Sequence, residues 1–376
     1  MMQVLHINSN FLTSRLHENL LDRLENDNIH NTVYMPIKES KKKEFLYESK
    51  YSVYNPVAFK DLDKYIFTYK QRKILKKLHE VIDIHKMDVI HAHTLFTDGN
   101  VAYQLNKEYG IPYVVTVRGY TDIESFFRIR INLRRRGRKI LENASKVIFL
   151  SETNKSDLLD RYIHNDTLKN DILNKSRVVP NGIDDYYFEN EAKSRQLDET
   201  EPIRFVQVGK IIPLKNGVGS IRGIRKFSEQ TNREAHVTFV GKKVDEAYAE
   251  KVKEEGGEMV TYHNPVPMEE LASIYRQHDI FIMPSFSETF GLVYPEAMSQ
   301  GLPVIYSKGQ GFDGQYEDGY VGYPVEADNP EDIAEKIELI VDNYEEISKN
   351  AVSAYKKFNW DILSQNYIEI YSDLAK

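Results

Sequence analysis

The 376-residue chain contains no cysteine. This excludes disulfide bonds, thiolate metal sites and cysteine nucleophiles, although it indicates the redox compartment only weakly. The chain also lacks any run approaching the roughly 18 to 20 apolar residues that a membrane span needs. Residues 1–8 have neither the basic nor the apolar region of a secretory signal. We therefore expect a protein of the cytoplasm.

The two halves of the chain carry opposite charge. Residues 1–180 hold 30 Lys and Arg against 22 Asp and Glu, a balance of +8, whereas the rest holds 20 against 35, a balance of −15. The first half is therefore basic and the second half acidic. The length also exceeds what one hydrophobic core usually supports, so we expect two domains.

Short apolar runs alternate with helical patterns in both halves, which is typical of βαβ units in a parallel sheet. The rhythm breaks in a polar stretch near residues 184–201, which is predicted to be a linker. The sequence thus predicts an α/β fold of two doubly wound, Rossmann-like domains at 1–185 and 200–357, followed by an amphipathic helix at Trp360–Leu374. Ligands are expected at the carboxyl ends of the strands, in a cleft between the domains. The predicted strands are 4–7, 33–35, 88–91, 113–117, 147–150, 203–208, 237–240, 259–262, 280–283 and 304–306.

Two glutamates flank a predicted junction between a loop and a helix. Glu288 lies in the loop, and Glu296 lies about one residue into a short helix that has Pro295 near its start and Gly301 just after its end. The N-terminus of a helix at this position suits a diphosphate, and carboxylates accept hydrogen bonds from hydroxyls well. The alternative is a pair of ordinary solvated surface glutamates.

Residues 284–304 resemble the E-x7-E signature of the retaining glycosyltransferases of family 4, the group 1 glycosyltransferases, with the pattern S-x-x-E-x-F-G…E-A-M-x-x-G-x-P-V nearly complete. Residues 88–93 resemble the strand that ends in a histidine pair, residues 179–184 the entry to the linker, and residues 208–216 the G-R-x4-K element of that family. The resemblance implies the GT-B fold, a nucleoside-diphosphate sugar donor, retention at the anomeric carbon and neither metal nor other cofactor. It also implies that residues 360–376 cross back to complete the first, acceptor-binding domain, while the second domain binds the donor.

The resemblance also implies roles for individual residues. Glu296 would hold the donor ribose and Glu288 the hydroxyls of the donor sugar. Lys210 and Lys215 would neutralise the diphosphate as its charge grows during leaving, which stabilises the transition state electrostatically. An isolated lysine pair would otherwise be expected in solvent. Further residues expected at the donor or in the cleft are Phe290, Gly291, Leu292, Val293, Gly209, Asn181 and His93.

Three positions depart from the family pattern. Lys210 replaces the usual arginine, which keeps the charge but loses the bidentate fork. The first loop, residues 8–15, lacks the usual glycine pair. Arg118 stands where the family commonly has histidine, and we include it among the catalytic candidates as a contact to an anionic group of the donor. The alternative is that Arg118 pairs with Asp122 or Glu124.

Two other patterns imitate ligand sites. Residues 309–314 satisfy G-x-G-x-x-G after a strand, but a turn-rich stretch follows them. We therefore expect a flexible loop beside the donor and no NAD site. His91 and His93 have the spacing of a metal pair, but no third ligand is expected near them. We interpret His91 as structural.

The run from Arg128 to Lys139 holds seven basic residues among apolar ones. It is predicted to attach to an anionic membrane surface. A solvated helix face is the alternative, and binding to nucleic acid is disfavoured by the acidic second half.

Together these features predict a metal-independent, retaining hexosyltransferase in the cytoplasm, peripheral to the inner face of the cell membrane. It would move sugar from a UDP-sugar or similar donor to a lipid-linked or polysaccharide acceptor. A GT-B-like UDP-sugar epimerase is one alternative, which the E-x7-E pattern disfavours. A sugar-nucleotide-binding subunit with weak catalysis is another, which Lys210 and Arg118 allow.

Overall fold

A computed structural model describes residues 1–41 and 48–375 of the chain. They form two compact units, the first comprising Met1–Gly182 and Trp360–Lys376 and the second Ile183–Asn359. Each unit is built on a parallel sheet flanked by helices. The predicted α/β class is therefore confirmed, and every predicted strand overlaps an observed one.

The main sheet of the first unit has the strand order β4-β2-β1-β6-β7-β8-β9, and β3 pairs with β5 in a small separate sheet. Aliphatic residues of the central strands are buried on both faces, as expected for a parallel sheet between helices. The strands are β1 (Met2–Ile7), β2 (Ile29–Tyr34), β3 (Ile37–Lys38), β4 (Ser52–Tyr54), β5 (Val57–Phe59), β6 (Val89–Ala92), β7 (Tyr113–Val117), β8 (Lys146–Phe149) and β9 (Ser176–Val178).

The helices of the first unit begin and end at recognisable signals. Ser151 and Asn165 each accept a backbone N–H at a helix start, and Gly110 ends another helix with φ +74°. A π-helical segment, Gly119–Arg128, follows β7. The α-helices are α1 (Leu16–Asn26), α2 (Phe67–Val81), α3 (Thr97–Tyr109), α4 (Arg134–Asn143), α5 (Glu152–Tyr162) and α6 (Asp166–Lys175).

The second unit has the sheet order β12-β11-β10-β13-β14-β15. Its strands are β10 (Ile203–Val208), β11 (Ala235–Val240), β12 (Val260–His263), β13 (Ile280–Met283), β14 (Val304–Ser307) and β15 (Gly322–Val325). Its helices are α7 (Tyr186–Glu189), α8 (Gly217–Thr231), α9 (Glu246–Gly256), α10 (Met268–Arg276), α11 (Val293–Ser299), α12 (Pro330–Asp342) and α13 (Tyr344–Ala354).

The last helix, α14 (Trp360–Leu374), has the predicted bounds and belongs to the first unit. Its buried residues Trp360, Leu363 and Tyr367 join the hydrophobic core around α1. The stretch near residues 184–201 that was predicted to be the linker lies within the second unit. The unit boundary falls at Gly182, and Arg195 within that stretch pairs with Asp279 of the second unit (3.4 Å).

In the described part of the chain, no helix is both long enough and apolar enough to cross a membrane.

Candidate functional site

The E-x7-E stretch forms a tight loop between β13 and α11. Gly291 has φ +85°, and a Cβ there would lie 2.4 Å from the ring of Tyr294. Only glycine fits, because both the backbone conformation and the close ring exclude a side chain. The Tyr294 hydroxyl donates to the carbonyl of Met283 (2.8 Å), which fixes the loop to the end of the strand. Leu292 and Val293 are half-buried at the start of the helix.

A second loop, after β10, is joined to the first one. The backbone N–H of Phe286 donates to the carbonyl of Leu214 (2.9 Å). Asn216, which has φ +51°, donates from its side chain to the carbonyl of Pro284 (3.0 Å) and caps α8 through Gly219. The two loops are therefore one hydrogen-bonded unit at the carboxyl edge of the sheet.

This arrangement brings Lys215 and Glu288 together. The ammonium of Lys215 donates to the carboxylate of Glu288, and both side chains are mostly buried. The carbonyl of Lys215 in turn accepts from the side chain of Gln207 (2.7 Å). Two residues predicted for different parts of the donor thus form an ion pair with each other. A ligand that engages either one competes with its partner.

Lys210 and Gly209 lie at the other end of the same loop. Lys210 is exposed and pairs with no carboxylate among residues 1–41 and 48–375. Gly209 has φ +149°, and a Cβ there would lie 3.9 Å from Cε of Lys215. The absence of a side chain at Gly209 keeps the approach to Lys215 open.

Glu296 occupies a different environment from Glu288. It is half-buried in the first turn of α11, where it accepts a hydrogen bond from the Tyr187 hydroxyl. Burial, with the nearby charge of Asp184, raises the pKa of Glu296 to about 7. The ionised form can accept hydroxyl hydrogen bonds, so this group is available to a ligand in a pH-dependent way.

The loop at Gly309–Gly314 packs against the Glu288 loop and opens no helix. The side-chain oxygen of Gln310 accepts from the backbone N–H of Glu288 (2.9 Å). A Cβ at Gly311 would lie 2.0 Å from the carbonyl of Thr289. Gly311 therefore serves close packing beside Glu288, whereas Gly309 has open space around it and adopts φ +72°. Phe290 is buried below this loop, with its ring 5.5 Å from that of Phe358.

Arg118, in the first unit, makes neither of the ion pairs considered for it. Asp122 accepts the backbone N–H of Arg118 (2.8 Å) rather than its guanidinium. The guanidinium donates to the carbonyl of His93 (2.8 Å) and to Nε2 of His17 (2.7 Å). Burial lowers the pKa of Arg118. In the described residues this partly buried cation has no carboxylate partner.

The expectation that no third ligand lies near the histidine pair is wrong. His6 faces His91 across β1 and β6, and one nitrogen from each of His6, His91 and His93 lies within 4.8 Å of the others. The ring nitrogens are already occupied, however, because His91 bonds to Tyr371 (2.6 Å) and Thr116 (2.8 Å).

His6 Nδ1 lies 3.0 Å from His93 Nε2, and its other nitrogen meets Asn31 (2.9 Å). Burial lowers the pKa of all three rings, that of His6 to about 4. The cluster is a network of neutral histidines, in which His91 attaches α14 to the sheet. A metal ion would have to displace these hydrogen bonds.

Asn181 is buried in the first unit, next to Gly182. A Cβ at Gly182 would lie 2.7 Å from the Trp360 ring. The two chain segments of the first unit, one ending at Gly182 and the other beginning at Trp360, are therefore in contact. His17, Tyr187 and Gln310 were not predicted. Each lies far in sequence from the residue that it contacts, so no local sequence pattern predicts the contact.

Comparisons with known proteins identify the family of this chain. A family model described as Glycosyl transferases group 1 matches residues 188–357, and one described as Glycosyltransferase Family 4 matches residues 14–186. The chain belongs to the group 1 glycosyltransferases. The fold of this glycosyltransferase is GT-B, which confirms the predicted fold class.

The glycosyltransferase is 26% identical over 306 residues to the D-inositol 3-phosphate glycosyltransferase of Paenarthrobacter aurescens, covering 77% of this chain and 73% of that protein. Its fold is similar to that of sucrose-phosphate synthase from Thermosynechococcus elongatus, with a TM-score of 0.80, 18% identity and coverage of 100% and 99% of the two chains. It is also similar to Anabaena HepE in complex with UDP and glucose, with a TM-score of 0.72, 17% identity and coverage of 99% and 100%.

Proposed function

We propose that this glycosyltransferase binds a nucleoside-diphosphate sugar, a UDP-sugar, at the joined loops of its second unit. The observation that carries the proposal is the ion pair between Lys215 and Glu288. Glu296 lies close by in the sequence, in the first turn of the helix that follows the Glu288 loop. In our proposal Lys215 and Lys210 contact the diphosphate, Glu288 the donor sugar and Glu296 the ribose. The Anabaena protein of similar fold was crystallised with UDP and glucose, which supports this choice of donor.

The proposed chemistry is transfer with retention at the anomeric carbon and without a metal ion. Departure of the diphosphate concentrates negative charge on its oxygens. An ammonium group held at the loop stabilises that charge in the transition state. A metal ion would otherwise provide this stabilisation.

An assay of donor chemistry separates this proposal from its alternatives. The protein is incubated with UDP-glucose, UDP-galactose and UDP-glucuronic acid and a set of lipid-linked, polysaccharide and sugar-phosphate acceptors. Released UDP together with an α-linked product supports the proposal. An isomerised donor would identify an epimerase, binding without turnover a sugar-nucleotide-binding subunit, and an inverted linkage would contradict retention.

We further propose that the first unit rests on an anionic membrane, where a lipid-linked acceptor is found. Three residues of the basic run are committed within the protein, since Arg128 pairs with a glutamate and Arg134 and Arg138 donate to backbone carbonyls. The remaining basic side chains include Arg135 and Arg136. They give the surface its positive charge.

Apolar side chains are exposed beside these cations. Ile129 and Ile131 are 72% and 66% exposed, and Leu62 in a separate segment is 78% exposed. A hollow between the start of α2 and the basic run is lined by Phe67, Thr68, Asn132, Leu133, Arg135, Arg136 and Lys139. Cations together with exposed apolar groups are typical of surfaces that insert shallowly into an anionic bilayer.

Sedimentation with vesicles of phosphatidylglycerol and phosphatidylcholine tests the membrane proposal. The triple variant Arg135→Gln, Arg136→Gln, Lys139→Gln should lose about 3 kcal/mol of binding, at roughly 1 kcal/mol per basic residue. A matched triple in the second unit, Lys242→Gln, Lys243→Gln, Lys251→Gln, should bind as the wild type does. Wild-type protein that stays in the supernatant at low salt would contradict the proposal.

A further inference from the structure

The first unit contains a cavity of about 320 Å³ beyond the carboxyl ends of β1, β2 and β6, with both apolar and polar side chains in its wall. Its wall is rich in hydroxyl groups, which suits a sugar. Residues of the wall include Ser9, Thr13, Lys70, Thr94, Thr97 and Thr121.

Lys70 is the distinctive group of this cavity. Its ammonium donates to the Thr97 hydroxyl (3.3 Å) and lies 4.8 Å from the centre of the Phe59 ring. The side chain is half-buried, and burial lowers its pKa. Among residues 1–41 and 48–375 it forms no ion pair. The other lysine at the cavity, Lys38, is balanced by Asp61 (2.6 Å).

The one carboxylate that acts on Lys70 is engaged elsewhere. Asp98 is fully buried and accepts hydrogen bonds from the hydroxyls of Ser9 and Thr94 (3.0 Å to Thr94). Burial raises the pKa of Asp98 to about 6, so the carboxylate is mostly ionised at neutral pH and offsets part of the charge of Lys70 without forming an ion pair with it. Asp98 therefore orients two hydroxyls of the wall and leaves the ammonium of Lys70 facing the cavity.

A helix adds positive potential at the same place. α3, which spans 13 residues, begins at Thr97, and the first N–H groups of a helix carry the positive end of its dipole. The N–H groups of Leu95 and Phe96, just before this helix, already donate to the carboxylate of Asp122 (3.0 and 3.4 Å). An anionic occupant would give the half-buried ammonium of Lys70 a direct ion-pair partner, whereas a neutral occupant would not.

We propose that this cavity binds the anionic group, a phosphomonoester or a carboxylate, of an acceptor sugar. Lys70 and the Thr97 end of α3 contact the anionic oxygens, while the hydroxyls of the wall hold the sugar. The inference rests on the proposed function, because an acceptor is needed only if the protein transfers a sugar.

Calorimetric titration of the full chain with three sugars tests the proposal. Glucose 6-phosphate and glucuronate carry the two anionic groups, and glucose is the neutral reference. At least one anionic sugar should bind about tenfold more tightly than glucose, which corresponds to about 1.4 kcal/mol. The tighter of the two identifies a phosphorylated or a carboxylated acceptor. Equal affinity for all three would overturn the proposal.

Variants at two lysines of α2 assign the preference to this cavity. Lys70→Met should abolish it and Lys70→Arg should keep most of it. Lys76→Met, which removes an exposed lysine of the same helix, should leave it unchanged. Thermal unfolding of each variant confirms that it folds. An anionic preference that survives Lys70→Met would overturn the assignment.

Titrations in saturating UDP separate this inference from the proposed donor site. An anionic sugar that UDP displaces is bound at the donor loops, and this result would overturn the cavity assignment. Failure of UDP itself to bind would contradict the proposed donor, while the comparison of Lys70 with Lys76 remains valid.

Discussion

The two units share one architecture, but the cations at the carboxyl edges of their sheets have different partners. In the second unit the cation Lys215 lies against the carboxylate of Glu288, within two loops that are hydrogen-bonded to each other. In the first unit Arg118 and Lys70 have hydroxyl, carbonyl and imidazole partners but no ion pair in the described residues. The difference is therefore one of charge compensation in the absence of ligand.

This difference predicts how each edge responds to a ligand. A diphosphate that reaches Lys215 must compete with Glu288, and the carboxylate is then released toward the donor sugar. An anion that reaches Lys70 or Arg118 breaks no ion pair, although the charges of Asp98 and Asp122 nearby already offset part of the positive charge. The four predictions that follow test this contrast, beginning with the largest effect.

Loss of the cation in the second unit should have the largest consequence. Lys215→Met leaves Glu288 without its partner and removes one of the two cations that we propose for the leaving diphosphate. We expect kcat/KM to fall on the order of 100- to 1,000-fold, as for removal of one donor to a developing oxyanion. The control is Lys251→Met on α9, which should retain activity. A Lys215→Met enzyme with wild-type kinetics would remove the ion pair from the proposed mechanism.

Replacement of Arg118 tests whether the first unit binds an anion. If it contacts a donor phosphate or a uronic-acid carboxylate, Arg118→His should lower kcat/KM by about 30-fold, since losing a buried charge contact costs at least about 2 kcal/mol. The measurement compares UDP-glucose with UDP-glucuronic acid. Unchanged kinetics with a lower melting temperature would leave Arg118 only its contacts to His93 and His17.

Glu296 predicts a smaller, pH-dependent effect. Its raised pKa of about 7 means that the ionised form, which accepts ribose hydrogen bonds, increases as the pH rises. Affinity for UDP should therefore rise about tenfold between pH 6 and pH 8 if only that form binds. Glu296→Gln cannot ionise and should remove this dependence. A profile that is identical in the wild type and the variant would exclude Glu296 from ribose binding.

Chelation should have the smallest effect. Because Lys215 and Lys210 are proposed to neutralise the diphosphate, transfer should continue in EDTA at close to its original rate. Loss of activity that Mg²⁺ or Mn²⁺ restores would show that the lysines do not suffice.

Sequence patterns predicted those features that depend on residues close together in the chain. The strands, the short helix after Glu288 and the helix at Trp360–Leu374 follow from apolar periodicity and local signals. β15 was missed because Gly322 and Pro324 lie within it, although proline is tolerated on an edge strand.

Contacts between distant parts of the chain could not be predicted in the same way. His6 reaches His93 because β1 pairs in parallel with β6, and Arg118 meets His17 across 101 residues. The supposed linker is polar, yet Arg195 within it is committed to Asp279. The composition of a segment predicts that its polar residues lie outside a hydrophobic core. It does not predict which residues they contact.

The place where the chain leaves and re-enters the first unit has a consequence for engineering. Within the second unit the N–H of Ile183 donates to the carbonyl of Phe358 (3.0 Å), so this unit begins and ends at one point. Within the first unit Gly182 touches Trp360, so removing residues 183–359 leaves two ends that already meet. Segments whose ends adjoin are well suited to transplantation. A chimera that replaces residues 183–359 at two cuts would therefore exchange the whole second unit, which we have proposed to bind the donor.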